Sequence, residues 1–268
     1  MLKSALPITA GAAALALLIS AVSSPFAWAL SVAPARTEVS LSPGAATKAV
    51  ITVTNTHAEP YDVELSEKPW FIYPDNKQIH VEDWLHLPGK KQFRLKPGKS
   101  RDVDITIFCP KDAVGELMGM VSFTYLGDTP SMITPMISTA VYLDVIGTER
   151  NAGEIVALAG GIRNSKFQVG AQVKATGNVR LHPTGTIDLL NDQGATVSHY
   201  TVAEANPIFP GTIRDYAGNG PDNVPTAGHY KLSADLHSGT LNLKAEQGIL
   251  VKANGDVEID GKKEKSKP

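Results

Sequence analysis

The chain has 268 residues, a formal net charge of −2 at pH 7 and one cysteine. This balance of charges provides no strongly basic surface and gives no reason to expect nucleic acid as a partner. The single cysteine, Cys109, excludes an intrachain disulfide, and its place between an apolar strand and Pro110 predicts a buried thiol rather than a nucleophile.

The first 29 residues have the pattern of a secretory signal peptide. Lys3 gives a short basic start, a long apolar run follows, and Ala27 and Ala29 are small residues of the kind that signal peptidase requires. Gly11 and Pro25 interrupt the apolar run, which disfavours an uncleaved membrane anchor. We therefore expect cleavage after residue 29, no stable membrane insertion afterwards, and a periplasmic location, with the cell surface or the medium as alternatives.

Short strands separated by Gly, Pro, Asn and Asp turns recur along the rest of the chain, without helical periodicity. This pattern predicts an all-β fold, with two tandem immunoglobulin-like β-sandwich domains after the signal peptide. The polar, glycine-containing stretch at 147–154 marks the joint between them. The expected divisions are 1–29 (signal peptide), 30–149 (first sandwich), 150–260 (second sandwich) and 261–268 (disordered charged tail).

Alternation is clearest in the first half of the chain. Val103, Ile105 and Ile107 are separated by polar residues, as expected for a strand with one buried face and one wet face. Other strands of this half are expected at 47–55, 61–67, 119–125 and 132–147.

The second half has strand patterns at 165–176, 184–202 and 227–236. The sequence "NDQG" (191–194) predicts a turn with Gly194 at positive φ, and the Asn-Gly pair at 254–255 predicts a hairpin.

Three features of the first half follow one another in a recognisable order. Asn55 ends a strand, "RLKPG" (94–98) forms a Pro-Gly turn, and "GMVSFTY" (119–125) precedes a long last strand. In this order they resemble the N-terminal domain of periplasmic pilus-assembly chaperones, which itself resembles the major sperm protein domain. The resemblance covers residues 30–147 and implies a seven-stranded sandwich joined to a second β-sandwich. Residues 173–194 resemble the immunoglobulin-like modules of bacterial surface proteins.

The resemblance implies a mechanism and places its anchor residues. In pilus chaperones a basic pair in the cleft between the domains grips the terminal carboxylate of the bound subunit. Aligned by hand, the two basic positions fall at Glu38 and Tyr142, and neither residue is basic. Arg36 becomes the basic candidate if the register slips by two residues, and Lys48 is another candidate.

The resemblance also implies that the last strand of the first sandwich is added to the incomplete sheet of a partner. The donor positions are Ile133, Pro135 and Ile137. Proline has no N–H, so Pro135 is expected to weaken strand donation and to protect an exposed edge from aggregation. The predicted partner-binding residues, taken with those of the anchor, are Arg36, Ile133, Ile137 and Tyr142.

No catalytic motif stands out, and we predict a non-enzymatic protein without cofactor or metal. The predicted function is an exported protein-binding module resembling the periplasmic chaperones of pilus and surface-fibre assembly. Its expected partner is a pilin-like or surface subunit, bound at an edge strand. The alternative is a structural or accessory β-sandwich protein of the cell envelope without subunit-chaperoning activity.

Two smaller features leave alternatives open. His80, Glu82 and His86 would share one face of a strand and could bind a metal, although their spacing matches no standard zinc pattern, and a polar edge is favoured. Trp70, Phe71 and Tyr73 form an aromatic group that either closes one end of the sandwich or binds sugar or peptide.

Overall fold

The computed structural model describes residues 30–72, 79–126 and 134–260. Within these residues the chain is built from strands, and the one helical segment is a three-residue 3-10 helix at Val81–Asp83. The predicted signal peptide, residues 1–29, and the predicted tail, residues 261–268, lie outside the described ranges. The strands are β1 Leu30–Ala33, β2 Arg36–Leu41, β3 Ala46–Asn55, β4 Tyr61–Pro69, β5 Leu85–His86, β6 Gln92–Leu95, β7 Ser100–Phe108, β8 Glu116–Leu126, β9 Met136–Val145, β10 Gly153–Arg163, β11 Lys166–Ala175, β12 Thr184–Leu190, β13 Thr196–Val202, β14 Ile213–Gly218, β15 Gly228–Ser238, β16 Leu241–Val251 and β17 Val257–Ile259.

The first half forms two sheets. Sheet I has the order β1-β3-β7-β5, and sheet II has the order β2-β9-β8-β4-β6. The chain leaves sheet I after β1 and enters sheet II as β2, which runs parallel to β9 while the other pairs in both sheets are antiparallel. The division of the strands between two facing sheets is that of an immunoglobulin-like sandwich.

The core of the first sandwich lies between sheets I and II, where the inward residues of each strand meet. The predicted alternation on β7 is confirmed, since Val103, Ile105 and Ile107 are at most 2% exposed. Cys109 is also fully buried, as predicted, and burial raises the pKa of its thiol. Trp84 and Phe123 are among the largest side chains in this core.

Two of the three sequence features on which the resemblance rested are bonded to each other. Asn55 is fully buried, and its side-chain Nδ2 donates to the carbonyl of Leu95 at 3.1 Å. Its backbone carbonyl accepts from the N–H of Gly98 at 3.0 Å, at the end of the "RLKPG" turn. Gly98 has φ +65°, a conformation that favours glycine. Strand β3 is therefore tied at its end to the turn that precedes β7.

The second half forms sheet III, of order β10-β11-β14, and sheet IV, of order β13-β12-β15-β16-β17. A second apolar cluster lies between them, with Tyr200, Ile187 and Leu189 at most 1% exposed. The predicted turns are confirmed: Gly194 and Gly255 both have positive φ, and β16 pairs with β17 across the second of them. The fold is thus all-β, with two tandem immunoglobulin-like sandwiches.

Some elements differ from the sequence prediction. Strands β10 and β14 have no predicted counterpart, because their alanines and glycines give weak strand patterns. Residues 81–83 form a 3-10 helix, so His80, Glu82 and His86 do not share one strand face. The two apolar clusters span residues 30–145 and 158–251, and the exact boundaries proposed at 149 and 150 stay a prediction.

No helix among the described residues is long and apolar enough to cross a membrane.

Candidate partner-binding site

Strand β9 has one edge that is only partly covered. Its residues 136–144 pair with β8, whereas β2 on the other side pairs only with residues 140–145. Residues 136–139 therefore pair with one strand among the described residues, although β1 lies near β9 and the Oγ1 of Thr139 donates to the carbonyl of Pro34 at 2.7 Å. We call the uncovered backbone at Met136–Ser138 the open edge.

The direction of the backbone groups follows from two hydrogen bonds. The N–H of Tyr125 on β8 donates to the carbonyl of Pro135 at 3.0 Å, and the N–H of Ala140 donates to Ala35 on the β2 side at 3.4 Å. Successive residues of an antiparallel strand alternate between its two sides. The N–H groups of Met136 and Ser138 are therefore directed at the open edge.

This geometry corrects the expectation for Pro135. Its carbonyl faces β8, so its missing N–H lies on the β8 side as well. The loss of that donor does not touch the open edge, where the next donors belong to Met136 and Ser138. Pro135 therefore does not weaken strand addition by removing a donor there.

The side chains near the open edge follow the same alternation. Ile137 lies opposite Phe123 and packs against the first core, whereas Met136 is 47% exposed on the outer face of sheet II. The Nζ of Lys68 lies 3.8 Å from the Sδ of Met136. Ile133, the other predicted donor residue, lies outside the described residues.

The two anchor positions implied by the resemblance are neighbours in sheet II. Glu38 on β2 is the register partner of Tyr142 on β9, and Arg36 is the partner of Ala140. Arg36 has a side chain that is 64% exposed, and it stands where β2 begins and the open edge ends. Tyr142 is only 6% exposed, so the prediction that it contacts a partner requires its cover to move.

That cover is Arg180, which comes from the second half of the chain. Its guanidinium carbon lies 3.4 Å from the centre of the Tyr142 ring, a cation–π contact. Its Nε lies 2.7 Å from Oε1 of Glu116, and its backbone N–H donates to Oε2 of the same carboxylate at 3.0 Å. Its Nη2 lies 3.1 Å from Oε1 of Glu38. The basic group beside the anchor positions Glu38 and Tyr142 is thus supplied by the second sandwich and is already paired.

The pair formed by Glu116 and Arg180 is buried, with side chains 2% and 10% exposed. Burial raises the pKa of Glu116 to about 7, although the charge of Arg180 opposes the rise. Burial also raises the pKa of Asp144, and burial together with Arg180 lowers that of His182. Glu116, Asp144 and His182 are therefore electrostatically coupled to Arg180.

The loop that carries Arg180 is docked through its backbone. The N–H of Glu116 donates to the carbonyl of Asn178 at 3.1 Å, and the side chain of Asn178 bonds to the backbone of Thr148 and of Arg150. These hydrogen bonds link residues 115–150 to the loop at 178–180. The contact between the halves is therefore specific in geometry.

A second contact between the two halves of the chain is aromatic. Phe71 stacks on Phe209 with ring centres 4.7 Å apart, and Trp70 meets the same ring edge-on at 6.3 Å. Phe209 belongs to the second half, so these aromatic residues join the two halves. Trp70 remains 43% exposed, and Tyr73 lies outside the described residues.

Sequence reasoning missed Arg180 and Glu116. They are 64 residues apart, and each is an ordinary charged residue next to a turn or at a strand end. The one available signal was the absence of a basic residue at Glu38 and Tyr142, which left the two anchor positions without a cation. Among the described residues, no group of three or more His, Cys, Asp or Glu is placed to hold a metal ion.

Solved structures of fimbrial chaperones are similar to this chain at low sequence identity. No protein-family model matches the chain, and no curated protein matches it. The class 5 fimbriae chaperone CfaA is similar in structure at 13% identity and a TM-score of 0.43, over 87% of this chain and 100% of that one. The YadV chaperone is similar at 9% identity and a TM-score of 0.41, over 82% and 99%. A chain of the Salmonella enterica complex of the SafA pilin with the SafB chaperone is similar at 10% identity and a TM-score of 0.38, over 85% and 92%.

Proposed function

We propose that this protein is an exported protein-binding module that accepts an extended segment of a partner along the open edge of β9. The observation that carries the proposal is the late start of β2, which leaves the N–H groups of Met136 and Ser138 directed at an edge where no described strand pairs. Main-chain hydrogen bonds along such an edge supply affinity when a strand is added.

Side chains around the edge support the same role. Ile137 presents an apolar surface continuous with the first core, and Met136 adds an exposed, adaptable side chain on the outer face. Arg36 stands at the end of the edge, where a carboxylate on the added segment would meet it. We propose Arg36, Ile133 and Ile137 as partner-binding residues.

The partner class and the location follow from the sequence resemblance. We propose a pilin-like or surface subunit as the partner, and the periplasm as the compartment. Binding rather than catalysis is the proposed activity.

The direct test removes one donor from the open edge. Met136→Pro removes an N–H that β8 does not use. The control, Met136→Ala, also removes the methionine side chain but keeps this N–H. We expect Met136→Pro, but not Met136→Ala, to lose partners captured from a periplasmic extract by the full chain. Equal capture by the two variants would show that the edge is not the binding surface.

Amide hydrogen exchange gives a second readout with the captured partner. The N–H groups of Met136 and Ser138 should gain protection in the complex, whereas that of Ile137, already bonded towards β8, should change little. Unchanged exchange at Met136 and Ser138 would contradict strand addition.

A second candidate function is a structural envelope module that keeps its partner permanently. It is favoured by Glu38, an acid at the first anchor position, and by the internal pairing of Arg180. Dissociation separates the two roles, because a chaperone must release its subunit to a competing strand and a structural module keeps it.

A further inference from the structure

A small cavity lies between strands β6 and β7, at one side of the first sandwich. Its lining residues are Leu65, Pro88, Lys90, Phe93 and 101–104. Its volume is about 90 Å³, far below the roughly 300–1,000 Å³ of pockets that hold drug-sized ligands. An occupant must therefore be a small group. We call this cavity the β7 pocket.

Two main-chain donors of β7 are directed at this cavity. The N–H of Cys109 donates at 2.8 Å to the residue before β3, and the N–H of Phe108 donates at 2.8 Å to the residue before β5. Successive residues of an antiparallel strand alternate in this way, so the N–H groups of Asp102 and Asp104 are directed away from β3. Strand β5 pairs only with residues 106 and 107. Among the described residues, these two N–H groups therefore have no strand to donate to.

Two cations border the same cavity. The guanidinium carbon of Arg101 lies over the Phe93 ring, 4.3 Å from its centre, which restricts the orientation of the side chain. Lys90 lies on the exposed loop before β6. Neither cation forms an ion pair with a described residue. The neighbouring Lys91 and Arg94, in contrast, are each paired with a carboxylate on β4.

The carboxylates of Asp102 and Asp104 are directed elsewhere. Val103 and Ile105 point into the core, so the side chains that alternate with them lie on the outer face of sheet I. On that face Oδ1 of Asp102 accepts a hydrogen bond from Oγ1 of Thr52 at 2.7 Å. Their negative charges still oppose the binding of an anion. Affinity in the β7 pocket must therefore come from direct hydrogen bonds and not from the local charge alone.

We propose that the β7 pocket binds a phosphate group with three free oxygens, which is inorganic phosphate or a phosphate monoester. Two main-chain N–H groups, the guanidinium of Arg101 and the ammonium of Lys90 are donors of the kind that oxyanions accept from. Three terminal oxygens can accept from donors that come from several directions, whereas the two oxygens of a carboxylate lie in one plane. The site is separate from the open edge and does not depend on the proposed function.

Protection of a strand edge is the alternative role for the same cations. Lysine and proline often lie beside exposed edges, where they oppose pairing with another chain. In that role Lys90 and Arg101 would not distinguish phosphate from chloride, and the two main-chain donors would stay bonded to water.

The test is an NMR titration of the full chain with sodium phosphate, compared with sodium chloride at equal ionic strength. We expect saturable shifts at the N–H groups of Asp102 and Asp104, and little change at that of Val103, which is directed at β3. Equal shifts with the two salts, or shifts that do not saturate, would overturn the proposal.

Two variants remove the cations one at a time. Arg101→Gln should weaken phosphate binding by about tenfold or more, because a hydrogen bond to a charged group is lost. Lys90→Gln should weaken it by about two- to fivefold, since the ammonium is exposed. Lys90 lies on a loop, so this variant tests the site even if Arg101→Gln also loses its packing on Phe93.

The matched control is Arg94→Gln, which removes one positive charge from the same hairpin but a charge that is paired with Asp62. It should bind phosphate within about twofold of the wild type. A loss as large as that of Arg101→Gln would overturn the proposal, because the effect would then be one of net charge.

A comparison of ligands separates free phosphate from a lipid headgroup. Methyl phosphate keeps three free oxygens, whereas dimethyl phosphate reproduces the diester of a phospholipid and has two. We expect methyl phosphate to bind as inorganic phosphate does, and dimethyl phosphate to bind more weakly. Equal or tighter binding of dimethyl phosphate would overturn the assignment to a group with three free oxygens.

Discussion

The two halves of strand β9 differ, although they belong to one continuous strand. Residues 140–145 lie between β2 and β8, and Tyr142 among them is covered by Arg180. Residues 136–138 have β8 on one side, and on the other side no described strand pairs with them. The difference arises from where β2 begins and not from the residues of β9.

This difference separates two roles. Beside the closed half, Arg180 of the second sandwich covers Tyr142 and forms a buried ion pair with Glu116 on β8, and hydrogen bonds define the geometry of this pair. The open half retains backbone donors that nothing in the described fold uses. The proposed binding edge lies beside this junction, which fixes its orientation relative to the second sandwich and favours a preorganised site.

The largest expected effect comes from breaking the buried pair. Arg180→Ala leaves the carboxylate of Glu116 buried without its cation, and we expect it to lower the free energy of unfolding by about 3–5 kcal/mol. The measurement is equilibrium unfolding in urea. Lys244→Ala is the control, because its partner Asp235 lies 2.8 Å away in an exposed pair, and it should cost about 1 kcal/mol or less. Similar losses for the two variants would mean that the junction does not stabilise the fold.

Gly115 tests the backbone fit of the same junction. A Cβ at this residue would lie 2.4 Å from the carbonyl oxygen of Asn178, and its φ is +73°. Gly98 has a similar φ of +65° but no heavy atom within 4 Å of its Cβ position. We expect Gly98→Ala to cost about 1–2 kcal/mol from backbone strain, and Gly115→Ala about 1–3 kcal/mol more from the clash. Thermal unfolding of both variants checks this, and equal costs would contradict the close approach.

The pH dependence of stability should depend on Glu116. Its pKa rises from the usual 4.5 to about 7 on folding, so the folded protein binds more protons between these values. The contribution is therefore fully present below pH 4.5 and is lost as the pH rises through about 7, a change of up to about 3 kcal/mol. The difference in unfolding free energy between wild type and Glu116→Gln, measured from pH 4.5 to 8, should fall as the pH rises. A flat difference would contradict the raised pKa.

The smallest expected effect is on the stability of the open edge. Met136→Pro removes an N–H that no described residue accepts from, so it should cost about 1 kcal/mol or less. Val141→Pro removes a donor within the ladder to β8 and should cost more than about 2 kcal/mol. Urea unfolding of both variants compares the two halves of β9 directly. A large loss for Met136→Pro would show that this edge is covered in the folded protein.

Local patterns predicted much of the first sandwich because each depends on neighbouring residues. Val103, Ile105 and Ile107 alternate with polar residues, and a strand with this pattern has one favourable way to face a core. Asn55 and the "RLKPG" turn were identified separately from the sequence, and their hydrogen bonds confirm that they belong together. Strands β10 and β14 were missed because alanine and glycine carry little of this periodic signal.

The candidate site was only partly predictable. Arg36 and Ile137 were named from the resemblance, but the orientation of Pro135 depends on which side of β9 bonds to β8, and that register is a property of the paired strands. Arg180 had no signal of its own, since a loop residue in the second half gives no indication of what it will contact in the first.

The sequence by itself determined the all-β class and the turns, because strand periodicity and positive-φ glycines act over a few residues. Only the tertiary structure decided that β2 stops short of Met136, that Arg180 covers Tyr142, and that Glu38 lies between two arginines. These are long-range pairings, and their geometry is set by how two sandwiches pack and not by any local stretch of the chain.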